Sequence, residues 1–251
     1  TEMQEQDLTT IYNSGNHLLS LINDILDQAK IEANELTLKS APFDVKPMVE
    51  NVKSIAVGLM KDKPLQLFVE VAPNLPQAYA DETRTRQILL NLVSNAVKFT
   101  PEGSVTVRIY TVQEGDQTFI RADVVDTGIG IAQKDMPILF EQFRQVDNSL
   151  TRTVGGTGLG LPISKSLAEL QGGKLLVSSE VGKGSVFSVL VPTRPQDAVE
   201  RQQREREEKH EISTTDTAVI NRKDLMRDAT QVMSAIPIMP IKRDVLLIED
   251  N

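Results

Sequence analysis

Asn91, Asn95 and Lys98 stand at i, i+4 and i+7 of a helical run, so two amides and an ammonium share one face. An amide oxygen is a hard ligand that Mg2+ accepts beside phosphate oxygens, and a lysine adds a point charge for those phosphates. A polar face turned to solvent would carry the same residues. Asp126-Thr-Gly-Ile-Gly-Ile131 directly follows a β-rich run. Its aspartate, at a strand end, is placed to accept a hydrogen bond from an exocyclic amine, the simplest way to recognise adenine. Gly128 and Gly130 are expected to supply positive φ and close backbone approach. An ordinary strand-ending turn is the competing reading. Gly155-Gly-Thr-Gly-Leu-Gly-Leu161 leads straight into a helix. Such a run brings backbone N–H groups to an anion at the positive end of a helix dipole. A flexible helix entry is the plainer account. The spacing is that of neither the P-loop nor the dinucleotide fingerprint. Between the two glycine segments, residues 140–153 are long and polar and read as a lid, with Phe140 and Phe143 as hinge, anchor or simply core.

These residues need elements to position them. Asp81 to Phe99 reads as an amphipathic helix with Asp81 as its N-cap, burying Ile88, Leu89, Leu92, Val93, Ala96 and Phe99. Val45–Met60 and Leu161–Gln171 are further helices. Leu67–Val71, Val105–Val112, Thr118–Asp126, Lys174–Ser179 and Ser185–Val191 are strands, with hairpin turns at Glu114-Gly-Asp116 and Gly182-Lys-Gly184. Residues 41–194 therefore form one compact domain. Ahead of it, Leu8, Ile11, Gly15, Leu18, Ile22, Ile25 and Ala29 make a heptad seam, with Tyr12, Leu19, Leu26 and Ala33 beside it. That stripe is wide enough for a four-helix bundle, so the first segment, 1–40, is expected to be one bundle helix running to about Leu36 and broken by Pro42. Residues 195–242 read as a charged linker. Residues 243–251 carry a buried-strand pattern ending in two carboxylates and Asn251.

Composition bounds the function. The chain has 251 residues, 27 Lys and Arg against 35 Asp and Glu, and a net charge of −8. That argues against general nucleic-acid binding, which needs a basic face. No cysteine is present, which excludes disulfides, thiol catalysis and Cys-based zinc sites. No apolar run approaches a membrane span. The chain starts at Thr1 without a methionine and reads as part of something longer.

An Asn-x-x-x-Asn-x-x-Lys helix, Asp-x-Gly-x-Gly, Phe-x-x-Phe and Gly-x-Gly-x-Gly, in this order, resemble the N, G1, F and G2 boxes of sensor histidine kinases. Their superfamily includes DNA gyrase, the Hsp90 chaperones and MutL. The resemblance implies an α+β fold, a two-layer α/β sandwich of the Bergerat type behind a long bundle-forming helix. It implies that Asn91 and Asn95 hold Mg2+, that Lys98 contacts phosphate, and that Asp126 binds the adenine amine of ATP. Gly128, Gly130 and Ile131 would shape the adenine pocket. Phe140 and Phe143 would belong to the lid, and Gly156, Thr157, Gly158, Leu159 and Gly160 would line the phosphates. Arg144 or Gln145 would reach the terminal phosphate. The first helix resembles the second helix of the dimerisation and phosphotransfer hairpin, and Val245–Asn251 the opening strand of a receiver domain, with Glu249 and Asp250 as its acidic pair. The implied parent is a hybrid kinase, a homodimer through its hairpins that relays phosphate to a receiver aspartate. It would work in the cytoplasm, with any membrane anchor upstream. The phosphoacceptor motif is missing: His17 is followed by Leu18-Leu19-Ser20 and His210 lies in the linker. A nucleotide-sensing scaffold without phosphotransfer, and an ATP-hydrolysing clamp like the topoisomerases, are the alternatives. The clamp would need a glutamate base where Asn91 stands.

Overall fold

Helix α1 (Glu2–Glu32) leads the chain in the computed structural model, which describes residues 2–61, 63–115, 117–144, 157–193 and 244–246. It ends earlier than its apolar pattern suggested, and without help from Pro42. Asn34 takes a left-handed φ of 55°, and the Glu35 N–H donates to the Lys30 carbonyl at 2.8 Å while Asn34 N–H donates to Ile31 at 3.1 Å. This is a Schellman closure with Asn in the position usually held by Gly. Asn tolerates that conformation better than other side chains do.

The domain that follows contains β1 (Ala41–Phe43), α2 (Val45–Met60), β2 (Leu65–Val71), β3 (Ala78–Ala80), α3 (Glu82–Phe99), β4 (Gly103–Glu114) and β5 (Gln117–Asp126). Then come a 3-10 helix over Gln133–Ile138, α4 (Gly160–Leu170), β6 (Lys174–Glu180), β7 (Gly184–Pro192) and β8 (Asp244–Leu246). Six strands form one sheet in the order β6-β7-β5-β4-β2-β8, all neighbours antiparallel except β2 and β4. The parallel pair needs a crossover, and α3 supplies it. Helix α3 packs across β4, β5 and β7, with α2 over β2 and α4 over β6. Alternation decides the faces: Val105, Val107 and Ile109 are buried, while the intervening Arg108 binds Glu70 at 3.1 Å and Tyr110 donates to Asp123 at 2.8 Å. The result is a two-layer α+β sandwich.

Asp81 ties the pieces together. Its carboxylate accepts from Arg84 N at 3.1 Å, capping α3, and from Lys39 N at 2.9 Å. Its own N–H donates to Gln171 Oε1 at 2.8 Å, just beyond α4. Two strands were not expected: β1 and β3, antiparallel through Ala41–Phe43 and Ala78–Ala80, are too short to show alternation. The strand expected in residues 243–251 to open a separate domain is present as β8, and it extends the edge of this sheet beside Leu67–Val69. The linker 195–242 with His210, and Glu249 and Asp250, lie outside the described residues. Among the described residues no helix is long and apolar enough to cross a membrane.

Candidate functional site

Helix α3 is held by its N-cap and by the burial of Ile88, Leu89, Leu92, Val93, Ala96 and Val97. That burial turns Asn91, Asn95 and Lys98 to the other side, where all three are half-buried. Asn95 Nδ2 lies 3.4 Å from Asn91 Oδ1, so the two amides form one polar unit. Asn91 Nδ2 donates to Ser164 Oγ of α4 at 2.8 Å. Burial pushes the Lys98 ammonium below its ordinary value, and its Nζ lies 5.0 Å from the Phe99 ring centroid. Among the described residues there is no cluster of three or more His, Asp or Glu. A cation here would rest on neutral amide oxygens with water and phosphate, a hard-oxygen set that fits Mg2+.

Asp126 closes β5 and is buried. Desolvation raises its carboxyl above the ordinary carboxylate value, opposed by hydrogen bonds from Gly128 N–H and from the Ser185 N–H and hydroxyl. The Gly128 bond measures 2.9 Å. The two glycines differ in role. Only Gly130 has positive φ, 68°, whereas Gly128 serves close approach, because a Cβ there would collide with the Phe99 carbonyl oxygen. Ile129 N–H also donates to Phe99 O at 3.3 Å, so the end of α3 joins the amide face to the Asp126 turn. Ile131, half-buried, is fixed through its N–H to Ser179 Oγ at 2.8 Å.

The segment read from the sequence as a lid is described only over residues 140–144 and from Thr157 onward. Phe140 packs against the core under Lys165, whose Nζ is 5.3 Å from the ring centroid. Phe143 is 68% exposed with φ 59°, so it is neither core nor anchor in this conformation. Its N–H donates to Gly158 O at 3.2 Å, joining the two ends. Arg144 is exposed and pairs with Glu141 at 3.2 Å. Thr157 Oγ1 accepts from Leu159 N at 3.1 Å, and Leu159 is buried in the core. Gly160 opens α4 against Asn91. Gln145 and Gly156 lie outside the described residues.

Asn91, Asn95 and Gly160 thus meet at one end of the site, and Asp126, Gly128 and Gly130 at the other. Ser164, Ser179 and Ser185 brace both ends and were not anticipated. A serine inside a helix or strand carries no spacing signal. A groove of about 660 Å3 opens beside Asn91 and Ser164, lined by Leu19 of α1, Ile55 and Leu59 of α2, and Leu90 of α3. Asp126 does not line it.

The family described as histidine kinase-, DNA gyrase B-, and HSP90-like ATPase matches residues 80–195. The chain is 43% identical over 195 residues to the circadian input-output histidine kinase CikA of Synechococcus elongatus, covering 76% of this chain and 25% of that protein. It is 44% identical over 204 residues to the sensor protein GacS of Pseudomonas syringae, covering 80% of this chain and 22% of that one. The chain therefore spans about a quarter of the length of these relatives. The crystal structure of full-length ShkA in complex with AMPPNP matches with a TM-score of 0.65 at 35% identity, over 78% of this chain and 40% of that one.

Proposed function

Since the chain belongs to the histidine kinase-, DNA gyrase B- and HSP90-like ATPases, in which it is the ATP-binding catalytic part of a sensor histidine kinase, we propose that it transfers the γ-phosphate of Mg-ATP to a histidine on a separate helix. The observation that carries this reading is the continuity of the site. Asn91 and Asn95 form one polar unit on α3, and the Phe99 carbonyl at the end of the same helix receives the turn that holds buried Asp126. A ligand with an adenine at one end and phosphates at the other fits that line.

Asp126 accepts from the adenine exocyclic amine, and Ser185 and Gly128 hold its carboxylate in place. Ile131 and the glycine turn flank the base. Lys98 meets the phosphates, where a partly desolvated ammonium gains most from a new anion. The segment from Thr157 to Gly160 lines the phosphates, and Arg144 reaches the terminal one. Asn91 and Asn95 would hold Mg2+, which supplies charge neutralisation on the phosphate oxygens. Phosphoryl transfer asks for such positioning and electrostatic stabilisation more than for covalent work by the enzyme. An imidazole nitrogen attacks the γ-phosphorus, the bond to the bridging oxygen breaks, ADP leaves, and the imidazole proton passes to water.

Neither His17 nor His210 has the acceptor motif, so the nucleophile comes from elsewhere. The partners that fit are a second copy through the α1 bundle face and a receiver domain that takes the phosphate onto an aspartate. The swing that brings the domain to its acceptor would occur ahead of Lys39, whose N–H is held by the Asp81 carboxylate at 2.9 Å. A hydrolysing clamp is disfavoured because Asn91 stands where a carboxylate base is needed.

The test is calorimetric titration with ATP and ADP, with and without Mg2+, followed by addition of a separate acceptor hairpin. Saturable adenine-specific binding and hairpin phosphorylation are expected, and Asn95→Ala should abolish the Mg2+-dependent transfer. Wild-type transfer by Asn95→Ala would refute the metal assignment. Rapid steady hydrolysis without an acceptor would favour the clamp.

A further inference from the structure

We propose that Ser164 is a positioning residue for the metal-holding amide of Asn91. The proposal rests on the assignment of Asn91 to Mg2+ and adds the residue that fixes its orientation. An asparagine amide has an acceptor end and a donor end of nearly equal shape. Turned one way it offers an oxygen to a cation, and turned the other it presents N–H groups that repel one. Something must choose between the two.

The choice is made by α4 together with Asn95, since a hydroxyl alone can accept from the nitrogen or donate to the oxygen. Asn91 Nδ2 donates to Ser164 Oγ at 2.8 Å, the shortest side-chain bond of that amide. Ser164 is 2% exposed and sits inside a helix, so its hydroxyl has little freedom to leave. With the nitrogen committed to Ser164, Oδ1 is left toward Asn95, whose Nδ2 is 3.4 Å away, a long contact. Gly160, on the preceding turn of α4, leaves room for that oxygen: a Cβ there would lie 2.5 Å from Asn91 Oδ1. Two residues four apart on one helix face therefore address the two ends of one amide, one binding the nitrogen and the other making space for the oxygen. Because α4 begins at the second glycine segment, the lid's landing point and the metal-holding amide are mechanically joined.

The experiment is a binding cycle. The Kd for ATP is measured in EDTA and in excess Mg2+ for the wild-type chain, Ser164→Ala, Asn91→Ala and the double variant. Alanine favours a helix, and ATP affinity in EDTA reports whether the fold is kept. Ser164→Ala should leave that affinity unchanged and cut the Mg2+ enhancement by about two- to tenfold, as expected for loss of one hydrogen bond. In the Asn91→Ala background the same change should do nothing. A Ser164→Ala effect that is equal with and without Mg2+, or that persists without Asn91, would mean Ser164 acts by packing and overturns the proposal. Full Mg2+ enhancement in Asn91→Ala would sink the assignment of Asn91 and this inference with it. Enhancement lost in Asn91→Ala but intact in Ser164→Ala would remove the role of Ser164 alone.

Discussion

Asp126 pairs its proposed adenine-binding role with an unfavourable environment. Its burial raises the carboxyl above 3.8, so the folded chain holds that proton more tightly than the unfolded chain does. Its contribution to stability is fully present below the unfolded value and is lost as pH rises through the raised one. At neutral pH the ionised carboxylate is a cost, which the proposed adenine recognition would justify. Asp126→Asn should therefore remove the loss of stability that sets in as pH rises through the raised carboxyl value. The preference for ATP over GTP should fall as well. Thermal scans across pH with parallel nucleotide titrations check both, and a variant that keeps its discrimination would remove the adenine role. At Gly130 the limit is steric. Its φ is 68°, and a Cβ would run into the Glu180 carbonyl oxygen. Gly130→Ala should cost about 2–4 kcal/mol, read from denaturant unfolding. The motif glycines and Asp126 were legible because their chemistry depends on residue type. Ser164 and Ser185 were not, because a buried hydroxyl bond leaves no trace in sequence spacing.

Elements show the same division. The spans of α2 and α3 followed from amphipathic period and caps, as at Asp81, whose capping bond to Arg84 N is 3.1 Å. The end of α1 did not, since the apolar pattern runs past it and the stop is set by the left-handed Asn34. How α1 docks was also invisible. Arg84 Nη1 of α3 meets Asp27 Oδ2 at 2.6 Å, and Gln87 Nε2 donates to the same oxygen at 3.0 Å. Farther along, Gln142 at the start of the lid donates to Glu32 at 3.0 Å. Pairs separated by this much sequence carry no local periodicity. Arg84→Ala leaves a buried carboxylate with one amide partner, a loss of about 1–3 kcal/mol in docking. The expected outcome is faster hydrogen exchange over the C-terminal half of α1, with exchange in the sheet unchanged. Unaltered exchange in α1 would show that the helix is held by other contacts.

At the scale of the whole molecule, one apolar surface is left exposed among the described residues. Ile11 is 69% exposed, Leu18 and Leu19 58%, Ile25 54%, on a helix whose described docking bonds, from Asp27 and Glu32, lie toward its C-terminal end. Ile11, Leu18, Ile22 and Ile25 of the heptad seam read from the sequence are all exposed. A stripe this long is unusual on a monomer and points to association. We expect the chain to self-associate through α1. Leu18 and Ile25 lie one heptad apart, so they face the same partner. Burying each is worth about 1.5–3 kcal/mol, and 1.4 kcal/mol is tenfold in affinity. Leu18→Glu with Ile25→Glu should therefore weaken the dimer by at least about a hundredfold in sedimentation equilibrium. ATP affinity should not change, because both residues lie outside the Asn91–Asp126 line. A wild-type chain that stays monomeric at high concentration would refute self-association through α1. A double variant that loses ATP binding as well would show that the bundle face and the nucleotide site are coupled.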